Sequence, residues 1–168
     1  MKATRFLFVS ALIFLPGILI AAEHPTLKFD GTWRTKIVCP PKGNTEGFTW
    51  FLDSVITGGD LRGARGTEGE PGSFVLSGKI EENGSAKLTG DGFINSRKYA
   101  RGIFAHKGEE YTWDVKADFK ETTGTGLRNE GLGIVGRPCT FEFTKRQPGS
   151  AAPAEAPAGT PSPTPPGF

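Results

Sequence analysis

Apolar and polar residues alternate along several short stretches of the chain, which is the pattern of a β-strand with one dry face and one wet face. In residues 29–39 the odd-numbered positions are mostly apolar or small, whereas Asp30, Arg34 and Lys36 occupy even-numbered ones. The stretches of strand character are 29–39, 47–57, 61–66, 73–81, 85–95, 111–120, 122–130 and 139–146. No helical period appears outside the N-terminal segment, so we predict an all-β domain of seven or eight short antiparallel strands.

Glycines within and between the strands indicate how the sheet is arranged. The phrase Leu-x-Gly occurs at 61–63, 76–78 and 88–90, in three successive predicted strands. Glycine weakens a strand unless the sheet must bend sharply there, as it does at the corners of a small barrel. Asn83-Gly84 lies between two alternating runs and predicts a tight hairpin whose turn residues both take positive φ. We therefore predict an up-and-down barrel, with a flat sandwich as the alternative.

The only two cysteines, Cys39 and Cys139, fall on predicted dry faces, at the end of the first strand and the start of the last. If they face each other in an antiparallel pair, every facing partner stays on the dry face, and the two strands close the barrel. The facing pairs are then Ile37 with Phe141, Thr35 with Phe143 and Trp33 with Lys145. This register brings Lys145 over the Trp33 ring as a cation–π cap. We predict a Cys39–Cys139 disulfide, and two free buried thiols are the alternative.

The two ends of the chain differ in composition from its centre. Lys2 and Arg5 precede an apolar run over residues 6–20, so we interpret residues 1–22 as a secretory signal peptide. An uncleaved anchor is the alternative. Residues 147–168 are almost entirely Pro, Ala, Gly, Ser and Thr, a composition with too little apolar surface to fold, which predicts a disordered tail. An N-terminal arm, 23–28, and one barrel domain, 29–146, lie between these ends.

The charge balance argues against a nucleic-acid partner. The chain carries 20 Lys and Arg residues against 18 Asp and Glu residues. Because the predicted signal peptide holds two of the basic residues and no acidic one, the remaining chain is formally neutral. It therefore has no basic patch of the kind that holds phosphate backbones. We expect a periplasmic or secreted protein, in an oxidising compartment, with no membrane span after the signal peptide is cleaved.

Short motifs give the chain a resemblance to a known group of proteins. Gly31-Thr32-Trp33 opens the first strand, Leu-x-Gly recurs in the middle strands, and a basic residue returns near the tryptophan at the end of the domain. This pattern resembles that of the calycins, which include avidins and lipocalins, and it implies an eight-stranded barrel with a ligand cavity at its open end. The aromatic box with which avidins bind biotin is not reproduced. Its Gly-Thr-Trp, Pro-Gly-Ser and Gly-Arg-x-Cys phrases also resemble those of small uncharacterised secreted bacterial proteins, a likeness that implies no activity.

Catalytic and metal-binding patterns are weak. Residues 131–136 match the Gly-x-Gly-x-x-Gly phrase of dinucleotide sites, but that phrase needs a following helix, and here a predicted strand follows. The adjacent carboxylates at 81–82 and 109–110 point to opposite faces of an extended chain, so neither pair can flank one bond. The cysteines, with His24 and His106, offer no metal-ligand spacing. We therefore predict a protein that is not an enzyme and that has no cofactor and no metal.

Aromatic residues of the strands are the candidates for ligand binding, namely Trp33, Trp50, Tyr111 and Trp113. We predict a secreted or periplasmic binding module whose partner is an unknown small molecule or a protein. One alternative is a protein-directed, protease-type inhibitor that inserts the arm 23–28, and another is an envelope structural or interaction protein. The second strand is apolar on both faces, so we also expect Trp50, Phe51 and Val55 to form an exposed surface.

Overall fold

In the computed structural model, which describes residues 26–100, 105–128 and 137–147, eight antiparallel strands close into a barrel. The strands are β1 (Gly31–Cys39), β2 (Phe48–Thr57), β3 (Asp60–Arg65), β4 (Phe74–Ile80), β5 (Ser85–Phe93), β6 (Glu110–Phe119), β7 (Thr123–Arg128) and β8 (Thr140–Lys145). Each strand pairs with the next, and β8 pairs back with β1. Two short 3₁₀ helices, Leu27–Phe29 and Arg97–Tyr99, complete the described elements. The predicted all-β, up-and-down barrel closed by its first and last strands is confirmed.

The first and last strands pair in the register that the cysteines predict. The facing residues are Trp33 with Lys145, Thr35 with Phe143 and Ile37 with Phe141. A disulfide joins Cys39 to Cys139 across this seam, with a Cα–Cα distance of 4.2 Å. The predicted disulfide is therefore confirmed, and it fixes the barrel where the chain's first and last strands meet.

Alternate residues of the strands fill the barrel. The largest side chains with at most 1 % of their surface exposed are Phe29, Trp33, Phe74, Phe141 and Phe143. Two polar side chains also lie inside, Thr35 and Ser54, and their hydroxyl groups form a hydrogen bond of 2.8 Å. Because this pair satisfies itself, it adds polarity to the core without leaving a buried polar group unpaired.

One end of the barrel is sealed by short connections and by the segment before β1. The connections at this closed end are residues 58–59, 81–84 and 120–122. The indole N–H of Trp33 donates to the Phe29 carbonyl at 2.8 Å, and the Lys145 ammonium lies 5.9 Å from the centre of the same indole. The predicted cation–π contact of Lys145 with Trp33 is thus confirmed.

The opposite end carries the longer connections, whose described parts are residues 40–47, 66–73, 94–100, 105–109 and 137–139. The disulfide lies at this open end, between the end of β1 and the start of β8. Since even-numbered strands begin here and odd-numbered strands end here, residues from the starts of β2, β4 and β6 meet residues from the ends of β3, β5 and β7.

The β4–β5 hairpin forms as predicted, but its turn differs from the expected one. Among the described residues only glycines have positive φ, so Asn83 does not, whereas Gly84 has a φ of 90°. The Asn83 carboxamide oxygen instead accepts hydrogen bonds from the backbone N–H and the hydroxyl of Ser85, at 2.9 and 2.8 Å. The expectation of positive φ at both turn residues is wrong, because the Asn83 side chain stabilises a longer turn through its hydrogen bonds with Ser85.

The three Leu-x-Gly glycines allow close packing between neighbouring strands. A Cβ atom on Gly78, which has a φ of 151°, would lie 2.5 Å from the Lys87 carbonyl oxygen of β5. A Cβ on Gly63 would overlap the Ser54 hydroxyl group, and one on Gly90 would lie 2.5 Å from the Phe74 ring. Each glycine therefore leaves room for a group on an adjacent strand. These are the glycines from which the closed barrel was predicted.

Several predictions concern residues outside the described ranges. These are the signal peptide over residues 1–22, the start of the N-terminal arm, the glycine-rich phrase 131–136 and the tail from residue 148 onward. Within the described ranges, no helix has both the length and the apolar composition that a membrane-spanning helix needs.

Candidate functional site

The open end of the barrel contains a cavity of about 170 Å³. Six of its described lining residues are aromatic: Phe48, Trp50, Phe93, Tyr99, Tyr111 and Trp113. The volume is close to the roughly 150 Å³ of an engineered protein cavity that binds benzene. A cavity of this size and composition accommodates one small ring.

Period-two spacing places the central aromatic residues on the inner surface. Phe48 and Trp50 are two residues apart in β2, and Tyr111 and Trp113 are two residues apart in β6, so each pair shares the inner face of its strand. The Phe48 and Trp50 rings stack with centroids 4.3 Å apart, and the planes of Trp50 and Trp113 differ by only 11°, with centroids 6.3 Å apart. The Tyr111 ring lies next to Trp113, with their ring centroids 5.2 Å apart. Together the rings of Phe48, Trp50, Trp113 and Tyr111 form a continuous surface, which we call the aromatic wall.

Two glycines of β5 provide the room that this wall needs. A Cβ atom on Gly92 would lie 2.5 Å from the Tyr111 hydroxyl oxygen, and a Cβ on Gly90 would lie 2.5 Å from the Phe74 ring. Phe74 is fully buried and packs against Trp113, with ring centroids 5.1 Å apart. The glycines therefore let aromatic side chains of the neighbouring strands lie across β5.

Three arginines lie against the faces of aromatic residues at this end. The guanidinium carbon of Arg128 is 4.6 Å from the Trp113 ring centre, and that of Arg65 is 5.0 Å from the Trp50 ring centre. Arg137 lies 4.9 Å from the centre of the Phe48 ring. Since a cation over an aromatic face is attracted by the ring's negative quadrupole, the arginines hold the rings in place and bring positive charge to the cavity.

Arg137 connects separate segments around the cavity. Its side chain is buried, with 4 % of the residue exposed, and it donates hydrogen bonds to the carbonyls of Glu46, at 2.5 Å, and Tyr99, at 2.6 Å. It stands two residues before Cys139, so the disulfide anchors it to β1. One side chain therefore joins the β1–β2 connection, the β5–β6 connection and the segment that leads into β8.

The Tyr111 hydroxyl group is the buried polar atom of the aromatic wall. It has no hydrogen-bond partner among the described residues. Burial raises the pKa of the Tyr111 phenol well above its ordinary value, and the positive charges of Arg128 and Arg65 offset only part of that rise. Tyr111 is therefore a neutral phenol at physiological pH, and it feels the charges of both arginines.

Three of the four residues predicted to bind ligand lie together. Trp50, Tyr111 and Trp113 line the cavity, whereas Trp33 is fully buried at the closed end. Alternation along a strand shows which face a side chain occupies but not which end of the barrel it reaches, so Trp33 had the same pattern as the others. Arg65 and Arg128 were missed, although each is the last residue of an odd-numbered strand, a position that brings it to the open end.

The outer face of β2 carries two of the three apolar residues that the sequence predicts to be exposed. Phe51 and Val55 are 44 % and 52 % exposed, and the Arg34 guanidinium lies over the Phe51 ring at 4.9 Å. The expected exposure of Trp50 is wrong, because this residue alternates with Phe51 along β2 and therefore lies on the inner face, where it lines the cavity. The exposed surface is therefore small, and it is separate from the aromatic wall.

Groups suited to metal binding or acid–base chemistry are dispersed. Of the described residues, no three His, Cys, Asp or Glu side chains come close enough together to hold a metal ion. The imidazole of His106 pairs with the Glu109 carboxylate at 3.3 Å on the surface, and Glu81 and Glu82 are both exposed. The cavity is therefore the candidate site.

Comparisons with known proteins do not identify this site. The sequence matches no protein-family model. The comparisons with curated proteins and with solved structures also returned no match. The function is therefore inferred from the cavity and its surroundings.

Proposed function

We propose that the protein is a secreted or periplasmic binding module, without catalytic activity, that holds a small molecule in the cavity at the open end of its barrel. The observation that carries this proposal is the aromatic wall around about 170 Å³ of space. Small-molecule sites are typically concave and largely apolar, with a few polar groups that orient the ligand. Here the rings of Trp50 and Trp113 supply apolar surface, and Arg128 supplies a polar group.

The surroundings of the cavity support binding because they keep its wall rigid. Glycines admit the aromatic rings, arginines stack on their faces, and Arg137 connects the neighbouring segments. A site that is already ordered loses little conformational entropy when a ligand arrives. The proposed compartment agrees with the Cys39–Cys139 disulfide, since such bonds persist in oxidising surroundings.

The alternative of a protein-directed inhibitor requires a free N-terminal arm. In the described part of that arm, the Phe29 backbone N–H donates to the Thr26 carbonyl at 3.0 Å, and the Lys145 ammonium donates to the Lys28 carbonyl at 3.0 Å. The Phe29 side chain is buried in the core. Because these contacts tie residues 26–29 to the closed end, we favour small-molecule binding over inhibition by the arm.

The proposal is tested with three single-ring probes, 4-fluorobenzoate, 4-fluorobenzamide and 4-fluorobenzylamine, observed by fluorine NMR. We expect at least one probe to bind the wild-type protein. The substitution Ala100→Trp places a large side chain on the cavity lining and should weaken that binding by at least about tenfold. Ala64→Trp, on the exposed face of β3, is the matched control and should leave binding unchanged. Absence of binding by all three probes, or equal binding by Ala100→Trp, would contradict the proposal.

A further inference from the structure

The charged residues described in the cavity lining are all arginines. Arg128 and Arg137 belong to its lining, and no Asp or Glu is among the lining residues that the structure describes. Arg65 adds a third positive charge behind the Trp50 ring and donates to the Gly72 carbonyl at 3.1 Å. In a small cavity with low-dielectric walls, such charges focus a positive potential on the space within.

Two carboxylates near the open end, those of Glu46 and Glu68, are engaged with other cations. Glu46 pairs with Lys98 at 3.1 Å, and Glu68 pairs with Arg62 at 2.8 Å. Within the described part of the chain, no carboxylate lies within ion-pair distance of Arg65. The positive charge beside Trp50 is therefore not neutralised by a described side chain, and it is available to act on a ligand.

The two lining arginines contact different aromatic residues of the cavity. Both terminal nitrogens of Arg137 donate to backbone carbonyls, so this side chain is used to connect the segments around the cavity. The Arg128 guanidinium lies over the Trp113 ring and lines the cavity. A guanidinium group carries five N–H donors in one plane, which suits the two oxygens of a carboxylate. Arg128 is thus placed to bind an anionic group of a molecule whose ring meets Trp113.

We propose that the ligand is a small planar anion, an aromatic or unsaturated carboxylate of about one ring, with its ring against Trp50 and Trp113 and its carboxylate on Arg128. This inference rests on the proposed function. Two observations support the sign of the charge independently of ligand shape: the lining contains arginines without a described acidic residue, and Arg65 lies unneutralised behind the wall. The volume and the nearly parallel rings of Trp50 and Trp113 support a flat molecule.

The three fluorinated probes also test the charge of the ligand, because they differ mainly in the group opposite the fluorine. We expect 4-fluorobenzoate to bind about tenfold or more tightly than 4-fluorobenzamide, since a hydrogen bond to a charged group is stronger than a neutral one. The cationic 4-fluorobenzylamine should bind weakest. If the amide binds as tightly as the carboxylate, the anion inference is wrong and the binding function stands. If no probe binds, the proposed function itself fails.

Arg128→Gln locates the anion contact. We expect this variant to lose about tenfold of its affinity for 4-fluorobenzoate, and to lose a clearly smaller factor for 4-fluorobenzamide, which keeps the ring contacts but carries no charge. Arg62→Gln removes the same charge from the outer surface, where Arg62 pairs with Glu68, and should change neither affinity. Unchanged benzoate binding by Arg128→Gln would overturn the assignment to this residue. Thermal unfolding shows whether the variant folds. Even if it does not fold, the order of affinities of the three probes for the wild-type protein tests the predicted negative charge of the ligand.

Discussion

At the scale of single residues, the aromatic wall depends on glycines, which have no side chain, as much as on the aromatic residues themselves. Gly90 needs no special backbone conformation, since its φ lies outside the positive range, but a Cβ there would meet the Phe74 ring at 2.5 and 2.7 Å. Phe74 in turn supports Trp50 and Trp113, with centroid distances of 5.7 and 5.1 Å. A substitution at Gly90 therefore reaches the cavity through Phe74.

Gly90→Ala should destabilise the protein by about 1 to 3 kcal/mol, because the added methyl group overpacks the site against Phe74. Urea unfolding measures the change. Phe74→Leu removes the opposing ring atoms, so the cost of Gly90→Ala should become smaller in the double variant than in the wild-type background. Equal costs in both backgrounds would show that the ring is not the cause.

Arg137→Gln should lower the free energy of unfolding by about 2 to 4 kcal/mol, because the Glu46 and Tyr99 carbonyls both lose their guanidinium donor in a buried place. Chemical denaturation measures this loss. Arg62→Gln, on the exposed surface, is the control and should change stability by no more than about 0.5 kcal/mol. A loss as small as that of the control would mean that water replaces the arginine at both carbonyls.

At the scale of elements, the seam between β1 and β8 could be predicted from the sequence because three constraints agree there. Both cysteines lie on dry faces, the alternation of each strand fixes which residues point inward, and a shift by one residue would expose the whole set. The β4–β5 turn could be located but not typed. Its Asn83-Gly84 pair is typical of a two-residue turn. The hydrogen bonds between the Asn83 side chain and Ser85 stabilise a longer turn instead.

Removing the disulfide should destabilise the fold by about 4 to 5 kcal/mol in the chain-entropy model, because the bond closes a loop between residues that are 100 apart. Guanidinium unfolding with and without a reducing agent measures the difference. The double variant Cys39→Ala/Cys139→Ala is the control, and its stability should not respond to the reducing agent. A difference below about 1 kcal/mol would show that the seam is held by strand pairing alone.

At the scale of the whole molecule, the barrel has a closed end built for packing and an open end that carries the cavity. The sequence shows inward-facing aromatic residues at both ends, and only the strand order separates them. Trp33 lies near the start of β1 and so at the closed end, whereas Trp50 and Trp113 lie near the starts of even-numbered strands. The arginines could not be assigned from alternation, because they sit where the strands end and the pattern stops.

Because the two ends of the barrel are separate, we predict that the tryptophans contribute differently to the fluorescence response to a bound probe. Trp33→Phe should retain the change in intrinsic fluorescence on addition of 4-fluorobenzoate, because the responding indoles, Trp50 and Trp113, lie at the other end. Trp113→Phe should lose a large part of that change. Loss of the response in Trp33→Phe, with the fold intact by circular dichroism, would place the bound probe elsewhere in the barrel.

Arg137 has a consequence for the rate at which a bound molecule is exchanged. Since this one side chain holds the carbonyls of Glu46 and Tyr99, the two connections cannot move apart from each other while it stays in place. Separation of these two connections therefore requires at least one of the two hydrogen bonds to break. If the proposed ligand enters between these connections, we expect Arg137→Gln to accelerate its entry and departure together, with the equilibrium occupancy changed far less than either rate.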